Sequence, residues 1–123
     1  MKKDVVVGLG EIGNPILKIL SKKNIVVGFD LNHNLMDGIK FEKYKNLKTS
    51  FLHIAIPGTD KLITNILKLY KKFRPECIII HSTIKPGTTE KLQKKFLFLW
   101  SIAQQEVFIR EWYMILNDTL NFL

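Results

Sequence analysis

VVVGLGEIGNP, residues 5–15, is the stretch that decides how this chain folds. A β-branched apolar run leads into glycines at Gly8, Gly10 and Gly13, and an amphipathic pattern follows them. Strand, GxGxxG turn and helix, in that order, make the stretch a candidate for the phosphate-binding turn of a dinucleotide site; the plainer alternative is a glycine turn that only joins a strand to a helix. Each glycine has its own reason. Gly8 can take the backbone angles of a tight turn, Gly10 lets a pyrophosphate approach the main chain, and Gly13 removes a Cβ where helix and strand pack closely. Glu11 and Ile12 complete the loop that would hold the cofactor. Glu11 suits the positive end of the helix dipole but would repel phosphate if turned inward, so it is expected to face solvent. Pro15 lies early enough in the helix that its missing N–H costs little. Ile12, Ile16, Ile19 and Leu20 recur at helical spacing and are expected to pack on the sheet.

Outward from this turn, the next apolar run, IVVGFD, ends in Asp30, 22 positions after Gly8. That is where the ribose-reading carboxylate of such a site belongs. A carboxylate accepts hydrogen bonds from a ribose 2′-OH and repels a 2′-phosphate, so the expected cofactor is NAD rather than NADP. The competing reading of Asp30 is an aspartate that only shapes a turn at a strand end.

Strands and helices alternate along the chain in the manner of a parallel sheet. Strands are expected at 4–8, 25–30, 51–56 and 77–81, and helices at 12–21, 60–73 and 88–95, with a shorter one around 31–39. The fold class is therefore α/β, a Rossmann-like doubly wound parallel sheet in a single domain. Its first strand should lie centrally, with the ligand crevice at the carboxyl ends of the strands. The segments GEIGN, DLNHN, PGTD and STIKPGT all fall at that edge.

With 123 residues and 46% hydrophobic content, the chain suffices for one domain with a real core. The net charge of +8, from 19 basic against 11 acidic residues, raises the question of nucleic acid. Lys61, Lys68, Lys71 and Lys72, however, flank an apolar face made by Leu62, Ile63, Ile66, Leu67, Tyr70 and Phe73, as on any solvated helix. With no zinc-ligand cluster and no RNA-binding signature, no nucleic-acid partner is expected. Cys77 is the only cysteine, which excludes an intramolecular disulfide and suggests a small core residue. His33, His53 and His81 show no metal-ligand spacing; His53 is expected in the core and His33 in solvent. No apolar run reaches the roughly 20 residues of a membrane span, and a cytoplasmic location is expected.

A second motif, HSTIKPGTTEKL, follows the apolar run CIII. Ser82 and Thr83 come directly after a buried strand, Pro86 and Gly87 enforce a turn, and Thr88 or Thr89 can cap the next helix. At these residues the chain resembles the UDP-glucose/GDP-mannose dehydrogenase family. That family's N-terminal NAD-binding domain carries a GxGxxG start and a segment much like STVPPGTTE, here GLGEIG and STIKPGTTE. IAIPGTD is similar to the family's apolar strand ending in a proline-containing loop, with Pro57 and Thr59 matching. The resemblance covers about residues 4–95. It implies a module that holds NAD for oxidation of a sugar-nucleotide alcohol. Gly8, Gly10, Gly13 and Asp30 would bind the cofactor, with Thr59, Ser82 and Thr83 beside its nicotinamide half. Thr83 also matches a family threonine near the reaction centre, the one catalytic candidate. Two simpler roles remain open, Thr83 as a hydroxyl that only satisfies backbone groups at a strand end and Thr59 as a cap for the helix starting near Asp60. The β-hydroxyacid dehydrogenases, including 3-hydroxyisobutyrate dehydrogenase, share GLGxxGNP and an ST[IV]xP segment and remain the alternative. So does a non-catalytic NAD-binding module.

The chain then departs from both families. The sugar-nucleotide enzymes use a later cysteine nucleophile together with a lysine, and Cys77, ahead of STIKPG, does not match it; the chain alone is expected to be inactive. Residues 1–95 hold 18 of the 19 basic residues, all seven glycines and all four prolines, so residues 96–123 form a compositionally foreign tail. Two readings of it stand. Codons that can encode residues 100–111 permit, read two nucleotides later, a sequence containing YSP, which the family shows after STVPPGT; the tail would then be out of frame. Otherwise its scattered apolar residues, Ile102 and Trp112 among them, are poorly packed or form a surface for a homodimer or partner chain.

Overall fold

A computed structural model describes residues 1–57, 59–81, 90, 91, 94 and 108–111. Strands β1 (Lys2–Val7), β2 (Val26–Phe29), β3 (Lys48–Ile54), β4 (Cys77–Ile80) and β5 (Phe108–Glu111) form one sheet in the order β2-β1-β3-β4-β5. Every neighbouring pair is parallel. Helices α1 (Gly13–Leu20), α2 (Gly38–Lys43) and α3 (Leu62–Phe73) connect the first four strands. Glu90, Lys91 and Lys94 are helical and exposed. Among the tail residues, only those of β5 are described; they pair with β4 from Cys77↔Phe108 to Ile80↔Glu111.

The sheet is covered on both faces, which is why its strands read as continuous apolar runs rather than alternating ones. Val5, Val7, Val27, Leu52, Ile54, Ile78 and Ile80 point to the face of α3 and meet Leu62, Ile66 and Tyr70. Val6 and Val26 point to the other face, where Ile16, Leu17 and Leu20 of α1 pack. From β1 the chain moves one way along the sheet to β2, and afterwards the other way to β3 and β4. Crossovers of one hand must then place their helices on opposite faces, so α1 and α3 lie on different sides. The chain is thus doubly wound, with β1 inside the sheet.

Several boundaries differ from the sequence expectation, each for a local reason. The face of α1 runs through Gly13, Ile16, Leu17 and Leu20, whereas Ile12 and Ile19 are 57% and 65% exposed. Buried Gly13 fixes the rotation of the helix, and Leu17 takes the place expected of Ile19. The expected helix at 31–39 is two elements. Asn32 accepts from Asn34 N–H at 3.2 Å and starts a 3-10 turn (His33–Leu35), while Asp37 accepts from Lys40 N–H at 3.1 Å and caps α2. Only the second start is followed by aromatic residues, Phe41 and Tyr44, that reach the core. The third strand starts at Lys48 instead of residue 51, because its polar first turn pairs with Lys2 and Lys3. A register shift follows, and the Asp4 carboxylate there accepts from Phe51 N–H at 3.2 Å. Thr59 does not cap α3, whose N-cap is Lys61; its hydroxyl accepts from Lys61 N–H at 3.3 Å in the preceding turn.

His53 is core, as expected, at 4% exposure. The register of β3 on β4 also brings it to His81, with Nδ1 of His53 2.9 Å from Nε2 of His81 and the rings stacked 5.2 Å apart. Burial, and for His53 the neighbouring imidazole as well, pushes both pKa values down to about 4. In the unfolded chain they titrate near 6.5. The unfolded state therefore binds protons first as pH falls, and stability present above pH 6.5 is lost between 6.5 and about 4. Urea midpoints are expected to drop between pH 7 and 4.5, and the His53→Leu/His81→Leu double variant should show a much flatter profile. Equal slopes would mean that the pair does not control acid sensitivity.

Candidate functional site

Where the direction of winding reverses, between β1 and β3, the loops leaving the two strands diverge and open a crevice. It has a volume of about 850 Å³. Its floor is the glycine turn. Gly8 has φ +90°, a conformation that L side chains rarely adopt, and its N–H donates to Phe29 O at 2.9 Å. A Cβ on Gly8 would stand 2.6 Å from Ala55 O, so the loops of β1 and β3 are in backbone contact. A Cβ on Gly10 would meet nothing within 4 Å. Gly10 therefore faces open crevice, the space that a close backbone approach by a ligand requires.

Behind it stands the amino terminus of α1. Asn14 N–H closes onto Gly10 O at 3.1 Å, and the amides of Glu11, Ile12 and Gly13 donate to no described residue. Unpaired amides at a helix start carry a partial positive charge and suit an anion. Glu11 is exposed at the rim, as expected.

Asp30 lines the same crevice, but it is already employed. Its Oδ2 accepts from Leu9 N–H and its Oδ1 from Asn32 N–H, each at 2.8 Å. The turn-forming reading of Asp30 is realised in geometry, and its side of the turn also borders the crevice. One oxygen ties the glycine loop to the end of β2, the other shapes the turn after it, and each keeps a further acceptor position.

Of the residues picked from the sequence, Gly8, Gly10, Glu11, Ile12, Asp30, Pro57 and Thr59 all line the crevice. Gly13 does not; it is buried beneath the turn. Ser82 and Thr83 lie outside the described residues. Cys77 is half-buried at the start of β4, at the far end of the sheet from the crevice, and takes no part in it. Among the described residues no group of three metal-ligating side chains occurs.

Sequence reading missed the second wall. Phe29, Leu31 and Leu35 come from the end of β2 and the turn after it, and Asn65, Lys68 and Leu69 come from α3. The side chains of Asn65 and Lys68 make no hydrogen bond or ion pair with the described residues. The signal for them was only a polar pair, three apart, beside the buried stripe of α3. The crevice is therefore a largely apolar slot with a few polar groups at its edges, the usual character of a small-molecule site. Its ionisable lining residues are Glu11, Asp30 and Lys68.

Comparison of the chain with protein-family models, with curated proteins and with solved structures gives no match. Among the described residues no helix is long and apolar enough to cross a membrane.

Proposed function

We propose that this chain is an NAD-binding unit of an oxidoreductase resembling the UDP-glucose/GDP-mannose dehydrogenases. The observation that carries the reading is the coincidence of three features at one switch point. A positive-φ glycine turn, an open face at Gly10 and a strand-end carboxylate, Asp30, border a single crevice. In this reading the pyrophosphate lies against Gly10 and the free amides from Glu11 to Gly13. The ribose hydroxyls take the acceptor positions that Asp30 keeps beside its two backbone bonds, and the base enters the apolar slot between Leu31 and α3.

NAD supplies a hydride acceptor when bound; this chain's described residues bind and orient it. Pro57 and Thr59 border the side toward β3, and Ser82 and Thr83 follow from the resemblance as the nicotinamide-side residues, Thr83 as the catalytic candidate. The sugar-nucleotide substrate, a homodimer or partner chain formed through residues 96–123, and a cytoplasmic location belong to the same proposal. Turnover would need the nucleophilic cysteine and lysine that such enzymes place later in their sequences.

Calorimetric titration of the folded chain with NAD and with NADP tests the reading. NAD should bind saturably and NADP at least tenfold more weakly, because a 2′-phosphate meets the Asp30 carboxylate. Equal or tighter NADP binding would refute the assignment of Asp30.

A further inference from the structure

At the opposite end of the sheet, where the strands begin, lies a second cavity. Lys3, in β1, is only 5% exposed. Its Nζ donates to Tyr44 O at 3.0 Å and Lys45 O at 3.2 Å, the carbonyls that end α2. These bonds explain its direction but not its charge. Burial pulls the ammonium's pKa down, and Lys3 pairs with no carboxylate among the described residues. Carbonyl dipoles satisfy two of its three N–H groups and leave the net charge uncompensated.

Lys3 borders a cavity of about 220 Å³ that is also lined by Lys45, Lys72, Thr49, Leu47, Phe41 and Phe73. Lys45 is held by Glu42. Lys72 stands over the rings of Phe29 and Phe73, at 5.2 and 5.8 Å. Three lysines therefore border a space shared with two phenylalanines, and Glu42, the partner of Lys45, does not line it. An anion placed there would lower the cost of burying Lys3. Its remaining surface would meet apolar rings rather than further donors, which favours a carboxylate on an apolar body over inorganic phosphate.

We infer that this cavity binds a small monocarboxylate with an aromatic or aliphatic body, its carboxylate against Lys3, Lys72 and Thr49 and its body against Phe41 and Phe73. The two sites share no lining residue, although Phe29 of the glycine-turn crevice packs on Phe41 and Phe73 of this one.

Benzoate and inorganic phosphate, titrated into the full chain and followed by backbone amide NMR, test the inference. Benzoate should saturate with a dissociation constant of about 1 mM or tighter, shifting the amides of Lys3, Lys45 and Thr49. Lys72→Gln should weaken it at least tenfold, whereas Gly10→Val, in the other site, should leave it unchanged. Lys3→Met removes the α2 contact as well and serves only as a second variant. Non-saturating benzoate shifts, shifts elsewhere, or full affinity in Lys72→Gln would overturn the proposal. Saturation by phosphate without benzoate would overturn the choice of ligand.

Discussion

Gly13→Ala is expected to destabilise the chain severely. A Cβ at this position would overlap the Gly8 carbonyl oxygen outright, stand 2.8 Å from the Gly8 carbonyl carbon and press on the Ala55 Cβ at 3.3 Å. The first two atoms are backbone, so no rotamer change relieves the clash. Relief would require moving the turn, and the turn is pinned. Gly8 N–H is bonded to Phe29 O, Leu9 N–H to the Asp30 carboxylate, and Ala55 N–H to Val7 O at 2.8 Å. Moving it would break the junction of three strands and α1 together. A loss of at least about 4 kcal/mol follows, in the range kept for severe core disruption. That is a large part of the roughly 5–15 kcal/mol that holds a domain together. Far-ultraviolet circular dichroism with urea denaturation reads the effect, and a midpoint near that of the wild type would show that the turn is less tightly held than described.

The reading of Gly13 as a site for close packing was legible in the sequence, but its neighbour was not. Spacing alone pointed to helix against strand, whereas the atom that forbids a side chain is a carbonyl of the same loop. The glycine turn, the alternation of elements and the position of Asp30 are all local patterns, and local patterns survive in a linear text. The Leu9 N–H on Asp30 joins residues 21 apart, and His53 on His81 joins residues 28 apart. Such pairs depend on strand register, which no single segment encodes. The wall of Asn65, Lys68 and Leu69 depends on the rotation of α3 over the sheet, set by Leu62, Ile66 and Tyr70. Nothing in the local sequence singles out Lys3; it is buried where its ammonium meets the carbonyls at the end of α2. The segment 31–39 misled for the opposite reason. Asn32 and Asp37 are both competent caps, and local pattern alone does not choose between one helix and two short turns.

Gly10→Val is the complementary substitution, with its whole effect on binding. Gly10 has no positive φ, and its Cβ direction is empty to 4 Å, so valine should fold within about 1 kcal/mol of the wild type. The added methyl groups would stand in the path to the amides of Glu11 to Gly13. A pyrophosphate held away from them loses both the hydrogen bonds and the helix-end charge. NAD affinity is expected to fall at least 100-fold, about 2.8 kcal/mol. Gly13→Ala acts on the site through the stability of the fold; Gly10→Val removes the site from an intact one.

The most direct test of the central claim is a calorimetric titration of NAD into folded wild type and folded Gly10→Val side by side. The account predicts a saturable, one-site isotherm for the wild type and no measurable heat for the variant. Absence of NAD binding by the wild type, or equal affinity in the two proteins, would contradict the placement of a dinucleotide on this glycine turn.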